Sequence, residues 1–223
     1  MTSRAAVRAA YDTVAADYAA LLPDASFESP EDVALIDRFL DLLPSGARVL
    51  DAGCGAGRML HLMRERRPDL RLVGLDLSPQ MIGLARAGCP FADLAVGDLA
   101  DVPLPDGSVA GVLAWYSVIH AGTDELDLIA DEFARVSTAG GLVLLGFQSG
   151  RGTRRIDRAY GHDVSLDAVL HDPREVAAAF AARGFAVLDQ RERLARGGEP
   201  HPQGFVLARR EVSLLGPTAA AGG

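Results

Sequence analysis

Apolar residues along the chain fall into short unbroken runs, separated by stretches in which they recur every three or four positions. The runs predict strands buried on both faces, and the spaced stretches predict helices that lie on them. Residues 4–21 predict a first helix carrying Tyr11 and Tyr18, and 30–43 a second with Val33, Ile36, Phe39, Leu40 and Leu43 on one face. Pro44-Ser45-Gly46 breaks it. Strands are predicted at 48–52, 71–76, 93–96, 109–116 and 142–147, alternating with helices at 57–67, 78–87 and 124–138. Ser78 before Pro79 reads as an N-cap followed by proline at the first helical position. Gly140-Gly141 reads as the end of the 124–138 helix. Residues 148–172, polar and arginine-rich, predict an irregular loop. A helix at 173–183, with Asp172 as N-cap and Gly184 past its end, leads to strands at 185–193 and 205–210 that pair across Gly197-Gly198.

Such alternation predicts the α/β class, a mostly parallel sheet covered by helices. The chain has 223 residues, 49% hydrophobic and 23% charged, enough to bury one substantial core. All 22 basic residues are arginine, and with abundant alanine and glycine this has the look of a GC-rich coding sequence. The net charge of −8 argues against a broad nucleic-acid-binding face. Arg151, Arg154, Arg155 and Arg158 cluster and are read as a solvated loop. Cys54 and Cys89 are too few for a disulfide framework, a four-thiolate metal site or a cysteine-held iron–sulfur cluster. Residues 1–10 lack the apolar stretch of a secretory leader, and no run is long enough to span a bilayer. A cytoplasmic location without a membrane partner is expected.

The strongest local signal is Val49-Leu50-Asp51-Ala52-Gly53-Cys54-Gly55-Ala56-Gly57, running from a strand into a helix. Glycines there let the backbone turn sharply and let a ligand approach the main chain. A dinucleotide fingerprint places glycines first, third and sixth, but counting from Gly53 the sixth residue is Arg58 and the third glycine stands fifth. The turn also opens on a carboxylate, Asp51. A pyrophosphate is repelled by it, whereas a ligand carrying an ammonium and a sulfonium is favoured.

Further along stand Gly74-Leu75-Asp76-Leu77-Ser78-Pro79-Gln80-Met81 and Val96-Gly97-Asp98-Leu99. An acid about 20 residues past the glycines, as Asp76 is, suits ribose hydroxyls. Together with Leu104-Pro105-Asp106-Gly107-Ser108 and the segment 132–145, these motifs resemble the class I S-adenosylmethionine-dependent methyltransferases, of small-molecule type, over roughly residues 45–210. The family usually has Lys-Pro before the double glycine, where this chain has Thr138-Ala139. The resemblance implies that Asp51 and the backbone of Gly53, Cys54 and Gly55 hold the methionine portion of the cofactor. It gives Asp76 the ribose, Leu77 and Met81 the adenine face, and Asp98, with Gly97 and the Leu99 amide, the adenine edge. Arg58, Ala114, Trp115 and Tyr18 complete the expected cofactor set, with Trp115 also readable as core. The family's aromatic pair on the N-terminal helix matches Tyr11 and Tyr18, either as a lid or as packing.

Leaving the fourth strand, Ala114-Trp115-Tyr116-Ser117-Val118-Ile119-His120 lacks both an Asn/Asp-Pro-Pro-aromatic motif and an acidic metal ligand. The expectation is therefore a small-molecule acceptor, no metal and no nucleic acid. His120 is the candidate base, with a side chain that titrates near neutrality; the alternative is a structural histidine at a strand–helix junction. Tyr116 is its candidate catalytic partner. Tyr11, Tyr116, Ser117, His120, Phe147, Tyr160 and His162 form the expected acceptor set. His171 and His201 are read as surface residues.

The expected architecture is a Rossmann-like, doubly wound sheet of seven strands, with one antiparallel strand near the C-terminus and an N-terminal helical lid. A single domain over 1–211 divides into lid helices 1–44, cofactor core 45–147, acceptor-cap loop 148–172 and C-terminal helix and hairpin 173–211, before a disordered tail at 212–223. Function is expected as transfer of a methyl group from S-adenosylmethionine, leaving S-adenosylhomocysteine, to oxygen, nitrogen or carbon of a metabolite in bacterial specialised metabolism. RNA or protein methylation, and a non-methylating regulator, lyase or cyclase that binds the same cofactor, stand as alternatives. Monomer and homodimer fit the sequence equally.

Overall fold

Both faces of the central strands carry apolar side chains, so the chain has to cover its sheet from two sides. In the computed structural model, which describes residues 2–212, it does so with helices. The elements are α1 (Arg4–Leu21), α2 (Pro30–Asp41), β1 (Arg48–Ala52), α3 (Arg58–Arg66), β2 (Arg71–Asp76), α4 (Pro79–Gly88), β3 (Ala92–Val96) and β4 (Val109–Trp115). There follow α5 (Thr123–Val136), β5 (Ser137–Gln148), β6 (Thr153–Ala159), β7 (His162–Val169), α6 (Pro173–Ala181), β8 (Phe185–Arg193) and β9 (Gln203–Arg210). Seven strands form one sheet in the order β3-β2-β1-β4-β5-β9-β8. β9 pairs antiparallel with both neighbours, and every other strand of the sheet runs the opposite way to it. The strand order reverses next to β1, between it and β4, which is the place where open parallel sheets bind ligands at their carboxyl edge.

Alternation along each strand divides the core. Leu50, Val73, Val112, Leu145 and Val206 pack under α5 and α6 against Phe133 and Phe180. Val49, Leu72, Leu113, Leu144 and Leu207 pack on the other face against Phe39 of α2 and Leu60 and Met63 of α3. Glycines on the strands mark close approaches: a Cβ on Gly111 would fall 2.9 Å from Leu43 of the segment after α2.

Three expectations are corrected. Residues 148–172 are not irregular: β6 and β7 form a separate antiparallel hairpin, Thr153 pairing with Val169 and Ile156 with Leu166. Its turn is Tyr160-Gly161, with φ of 51° and 87°, the two-residue geometry whose handedness matches strand twist. Gly140-Gly141 do not end α5. The helix stops at Val136, and the glycines sit inside β5 at the irregularity where its register with β4 moves from Val109–Ser137 to Gly111–Leu142. His171 is buried, not a surface residue, and its Nε2 lies 3.2 Å from the Val118 carbonyl. Apart from Val212, the expected disordered tail lies outside the described residues.

One buried charge cluster ties α2 to the sheet edge. Ser29 and Asp32 form a reciprocal capping box at the start of α2. The Asp32 carboxylate, 1% exposed, also takes a two-pronged ion pair from Arg193 of β8 at 2.8 and 2.7 Å. Arg193 reaches Glu199 as well, at 2.6 and 2.7 Å. Removing one member of such a cluster leaves a buried charge without its partner. Arg193→Ala should therefore lower the unfolding free energy by about 3–5 kcal/mol, measured by urea denaturation. A loss below about 1 kcal/mol, the worth of an exposed pair, would contradict the burial argument.

Candidate active site

The carboxyl ends of β1 to β4 open into a cavity that α1 closes from above. Its space, with the open solvent at its mouth included, is about 880 Å3. Its walls come from each element in turn: Gly53 and Gly55 after β1, Asp76 and Leu77 after β2, Met81 of α4, and Asp98 and Leu99 after β3. Tyr116, Ser117 and His120 follow β4, and Ala121, Glu125 and Ile129 lead into and along α5. Helix α1 and the residues before it supply Thr2, Arg4, Val7, Tyr11 and Tyr18.

The glycine turn explains its own composition. Gly53, Gly55 and Gly57 all have positive φ, at 82°, 53° and 99°. At Gly53 the constraint is also spatial, since a Cβ would fall 2.2 Å from that of Ser117. The Gly53 and Cys54 amides both donate to the Leu75 carbonyl, at 2.7 and 2.9 Å, which locks the turn to β2.

Two carboxylates stand behind this turn and are treated differently. Asp76 accepts from the Gly55 amide at 2.9 Å and the Ser78 amide at 2.8 Å while lining the cavity. Burial still raises its pKa, with those amides opposing the rise. Asp51 is 1% exposed, and its Oδ2 has no hydrogen-bond partner. Burial pushes its pKa up to about 7, with Asp76 adding to the rise and Arg58 working against it. A buried carboxylate without a donor is a costly arrangement, and a cation is what relieves it.

On the α5 side, His120 is held at both ring nitrogens. Nδ1 lies 2.8 Å from the Asp167 carbonyl and Nε2 lies 3.0 Å from the Tyr11 hydroxyl. A carbonyl only accepts, so Nδ1 carries the hydrogen, and the bare Nε2 accepts from Tyr11. Burial lowers the His120 pKa and keeps the ring neutral. The Asp167 amide is in turn held by the Thr2 hydroxyl at 2.7 Å. Tyr116 adopts a positive φ of 58°, costly for a residue with a side chain, and its amide donates to Gly146 at 2.8 Å. The Ser117 hydroxyl is buried without a partner.

Of the residues singled out from sequence, the cavity thus gathers Tyr11, Tyr18, Gly53, Gly55, Asp76, Leu77, Met81, Asp98, Leu99, Tyr116, Ser117 and His120. Others it does not gather, and Asp51 is among them: its buried carboxylate lies behind the glycine turn and not on the cavity lining. The Cys54 thiol packs beside Gly74 under the turn. Arg58 is ion-paired with Glu28, and Gly97 presses against Leu75. Ala114 belongs to the core under α5, and Trp115 lies on the opposite face, stacked on Phe205 at 5.5 Å. Phe147 fills the space over Gly204 beside His171. Tyr160 packs edge-on against Tyr18 at 4.9 Å, and His162 meets Asp17 at 2.7 Å on the outer side.

The sequence reading missed Arg4, Thr2, Glu125 and Asp12. Arg4 bridges Asp98 at 2.8 Å and Glu125 at 2.7 Å across the cavity. Asp12 accepts from the Ser78 hydroxyl at 2.6 Å, at the start of α4. The signal was present: Arg4, Val7, Tyr11 and Tyr18 share one helical face. Among the described residues, no group of three or more His, Cys, Asp and Glu side chains is placed to hold a metal ion, and no helix is long and apolar enough to cross a membrane.

Residues 49–141 match a family model described as a methyltransferase domain. A malonyl-[acyl-carrier protein] O-methyltransferase of Serratia marcescens is 32% identical over 144 residues, covering 64% of this chain and 52% of that protein. A demethylmenaquinone methyltransferase of Deinococcus radiodurans is 36% identical over 111 residues, covering 48% of this chain and 45% of that one. The chain spans between about half and two thirds of the length of the first curated relatives it matches. In fold, it is similar to magnesium protoporphyrin IX methyltransferase of Synechocystis PCC 6803, with a TM-score of 0.71, 17% identity and coverage of 95% and 98% of the two chains. Domain match, relatives and strand order agree: residues 49–141 match a methyltransferase domain, in a chain similar in sequence to S-adenosylmethionine-dependent methyltransferases and in fold to their class I sheet.

Proposed function

We propose that this chain transfers a methyl group from S-adenosylmethionine to a small-molecule acceptor. The observation that carries the reading is the Asp51 carboxylate, buried without a donor behind a glycine turn on the cavity wall. When bound, S-adenosylmethionine supplies a methyl group on a sulfonium centre and leaves as S-adenosylhomocysteine. The residues present fit it. Asp51 offers the uncompensated negative charge that its ammonium would relieve. Asp76, already fixed by two amides, keeps lone pairs for ribose hydroxyls. Leu77 and Met81 give an apolar wall for the adenine, and Asp98 an acceptor for its amine. Metabolic origin follows from this class of acceptor, and the −8 net charge supports a small molecule over nucleic acid.

Methyl transfer is an in-line displacement, so the chain's chief contribution is alignment and exclusion of water. An acceptor hydroxyl or ammonium also has to lose a proton. His120 is built to take it by way of Tyr11: the ring is neutral, with hydrogen on Nδ1, and its Nε2 lone pair accepts the Tyr11 hydroxyl at the cavity wall, so the phenol would pass its proton to Nε2 as it takes the acceptor's. With the Nδ1 hydrogen bonded to a fixed carbonyl, the imidazolium that forms stays in place.

Three outcomes follow. S-adenosylhomocysteine binding, measured by calorimetry, should be pH-independent above about pH 8 and weaken below pH 7, towards tenfold per unit, as Asp51 takes up its proton. Asp51→Asn should remove that pH dependence and cost at least about tenfold in affinity; a flat wild-type profile would count against Asp51 as the ammonium's partner. The same substitution should stabilise the cofactor-free protein. The unfolded chain ionises Asp51 near 3.8 and the folded one near 7, so its penalty is absent below the first value and complete above the second. Asp51→Asn should thus raise the unfolding free energy from urea denaturation at about pH 8, by up to a few kcal/mol, and much less at pH 4. His120→Ala should lower methyl incorporation from a metabolite extract by roughly a hundredfold or more, with cofactor affinity within about threefold; unchanged incorporation would remove His120 from the reaction.

A further inference from the structure

A second cavity lies on the far side of Tyr11. Its space, with the open solvent at its mouth included, is about 670 Å3, between α1 and the β6–β7 hairpin, and Tyr11 lines both spaces. Its wall is mostly aliphatic, from Val14, Ile119, Ile156, Val164 and Leu166. Two cations interrupt that wall, Arg154 and Arg158.

Strand alternation separates the arginine cluster into two kinds. Arg155 faces outward and pairs with Asp157 and Asp167, and Arg151 in the preceding loop pairs with Asp172 and Glu175. Arg154, Ile156 and Arg158 face the cavity. Arg154 has no carboxylate partner among the described residues, and its Nε is buried with no acceptor. Among the described residues Arg158 donates only to the Gly161 carbonyl, at 3.3 Å, although Asp163 stands opposite it in the ladder. On the same wall the side-chain amide oxygen of Gln148 is also buried and unpaired. The positive charge of Arg154 is near enough to help hold the His120 ring neutral.

A guanidinium with a buried, unused donor in an aliphatic wall is a site for an anion carried on an apolar body. We infer that this second cavity binds the acceptor, and that the acceptor is an anionic amphiphile. Its carboxylate or phosphate meets Arg154 and Arg158, its apolar body lies on Ile156 and Leu166, and its reacting atom is turned towards Tyr11 and His120. The inference rests on the proposed methyl transfer and names the class of molecule that receives the group.

The test is calorimetry on the protein loaded with S-adenosylhomocysteine. The probes are medium-chain and aromatic carboxylic acids, their primary amides, and octyl phosphate. At least one anion should bind about tenfold or more tightly than its neutral counterpart, since a charge-assisted hydrogen bond is worth that much. Whether the acids or the phosphate show the preference identifies the headgroup. Arg154→Gln should bring the ratio to within about twofold while S-adenosylhomocysteine affinity holds, and Arg154→Lys should restore part of it. Arg158→Gln should act in the same direction, and it carries the test if Arg154→Gln does not fold by circular dichroism. The inference falls if no anion binds more tightly than its amide, including the case where none binds. It falls equally if the preference survives Arg154→Gln and Arg158→Gln. Absence of S-adenosylhomocysteine binding by the unaltered protein would instead overturn the proposed function, so the two failures are separable.

Discussion

A carboxylate that the fold buries without neutralising sets the terms for the whole carboxyl edge of the sheet. Asp51 sits at the fourth position of β1, between neighbours that both belong to the apolar core, and its strand position fixes it on the face shared with α2 and α3. Neighbouring donors are already committed elsewhere. The Gly53 and Cys54 amides go to the Leu75 carbonyl, the Gly55 amide to Asp76, and the Arg58 guanidinium to Glu28. Each of these bonds also shapes the turn, so the turn cannot be rearranged to satisfy Asp51 without losing its anchorage to β2. The fold keeps a destabilising group where the proposed cofactor would bring a cation, in keeping with the concentration of strain at functional positions.

Helix α1 completes the cavity by polar bonds more than by apolar packing. Only Val14 and Ala15 of its eighteen residues are buried. What fixes it are single, directional links to the loops that make the site: Arg4 to Asp98 and Glu125, Asp12 to Ser78, Tyr11 to His120. Partly exposed links of this kind are each worth about 1 kcal/mol or less. The helix is therefore held less firmly than the sheet behind it, as suits a wall past which ligands must enter.

The parts of this arrangement legible in the sequence were those in which one physical requirement dominates. Strands β1, β2, β4 and β5 are buried on both faces, so their apolar runs stand out, and the glycines at 53, 55 and 57 are needed for positive φ whatever their surroundings. The hairpin at 148–172 was not legible. Its inward face carries Arg154 and Arg158 beside Ile156, so the alternation of apolar and polar residues that announces a strand is absent. Tyr160-Gly161 was the remaining clue, and a turn with tyrosine at its first left-handed position is a weak one. His171 misled for the opposite reason: an Asp-Pro helix start suggests solvent, while Phe147 against its ring, the Val118 carbonyl and the bridge to Ser149 surround it. For Arg4 the shared helical face with Val7, Tyr11 and Tyr18 was legible, but not its partners, Asp98 after β3 and Glu125 of α5, which lie far away in the chain.

The same contrast explains why the arginine cluster divides as it does. Four arginines within eight residues look interchangeable in composition, yet a strand sends successive side chains to opposite sides. Outward positions face water and gather acids, as Arg155 does with Asp157 and Asp167. Inward positions face α1, whose facing residues Ala10, Tyr11 and Val14 bring no carboxylate. A protein serving only stability would place aliphatic residues there, because burying an unpaired guanidinium donor costs more than burying a methylene stem gains. Arg154 thus keeps an unused donor on the cavity that shares the Tyr11 phenol with the first, which is what the proposed anionic acceptor would occupy.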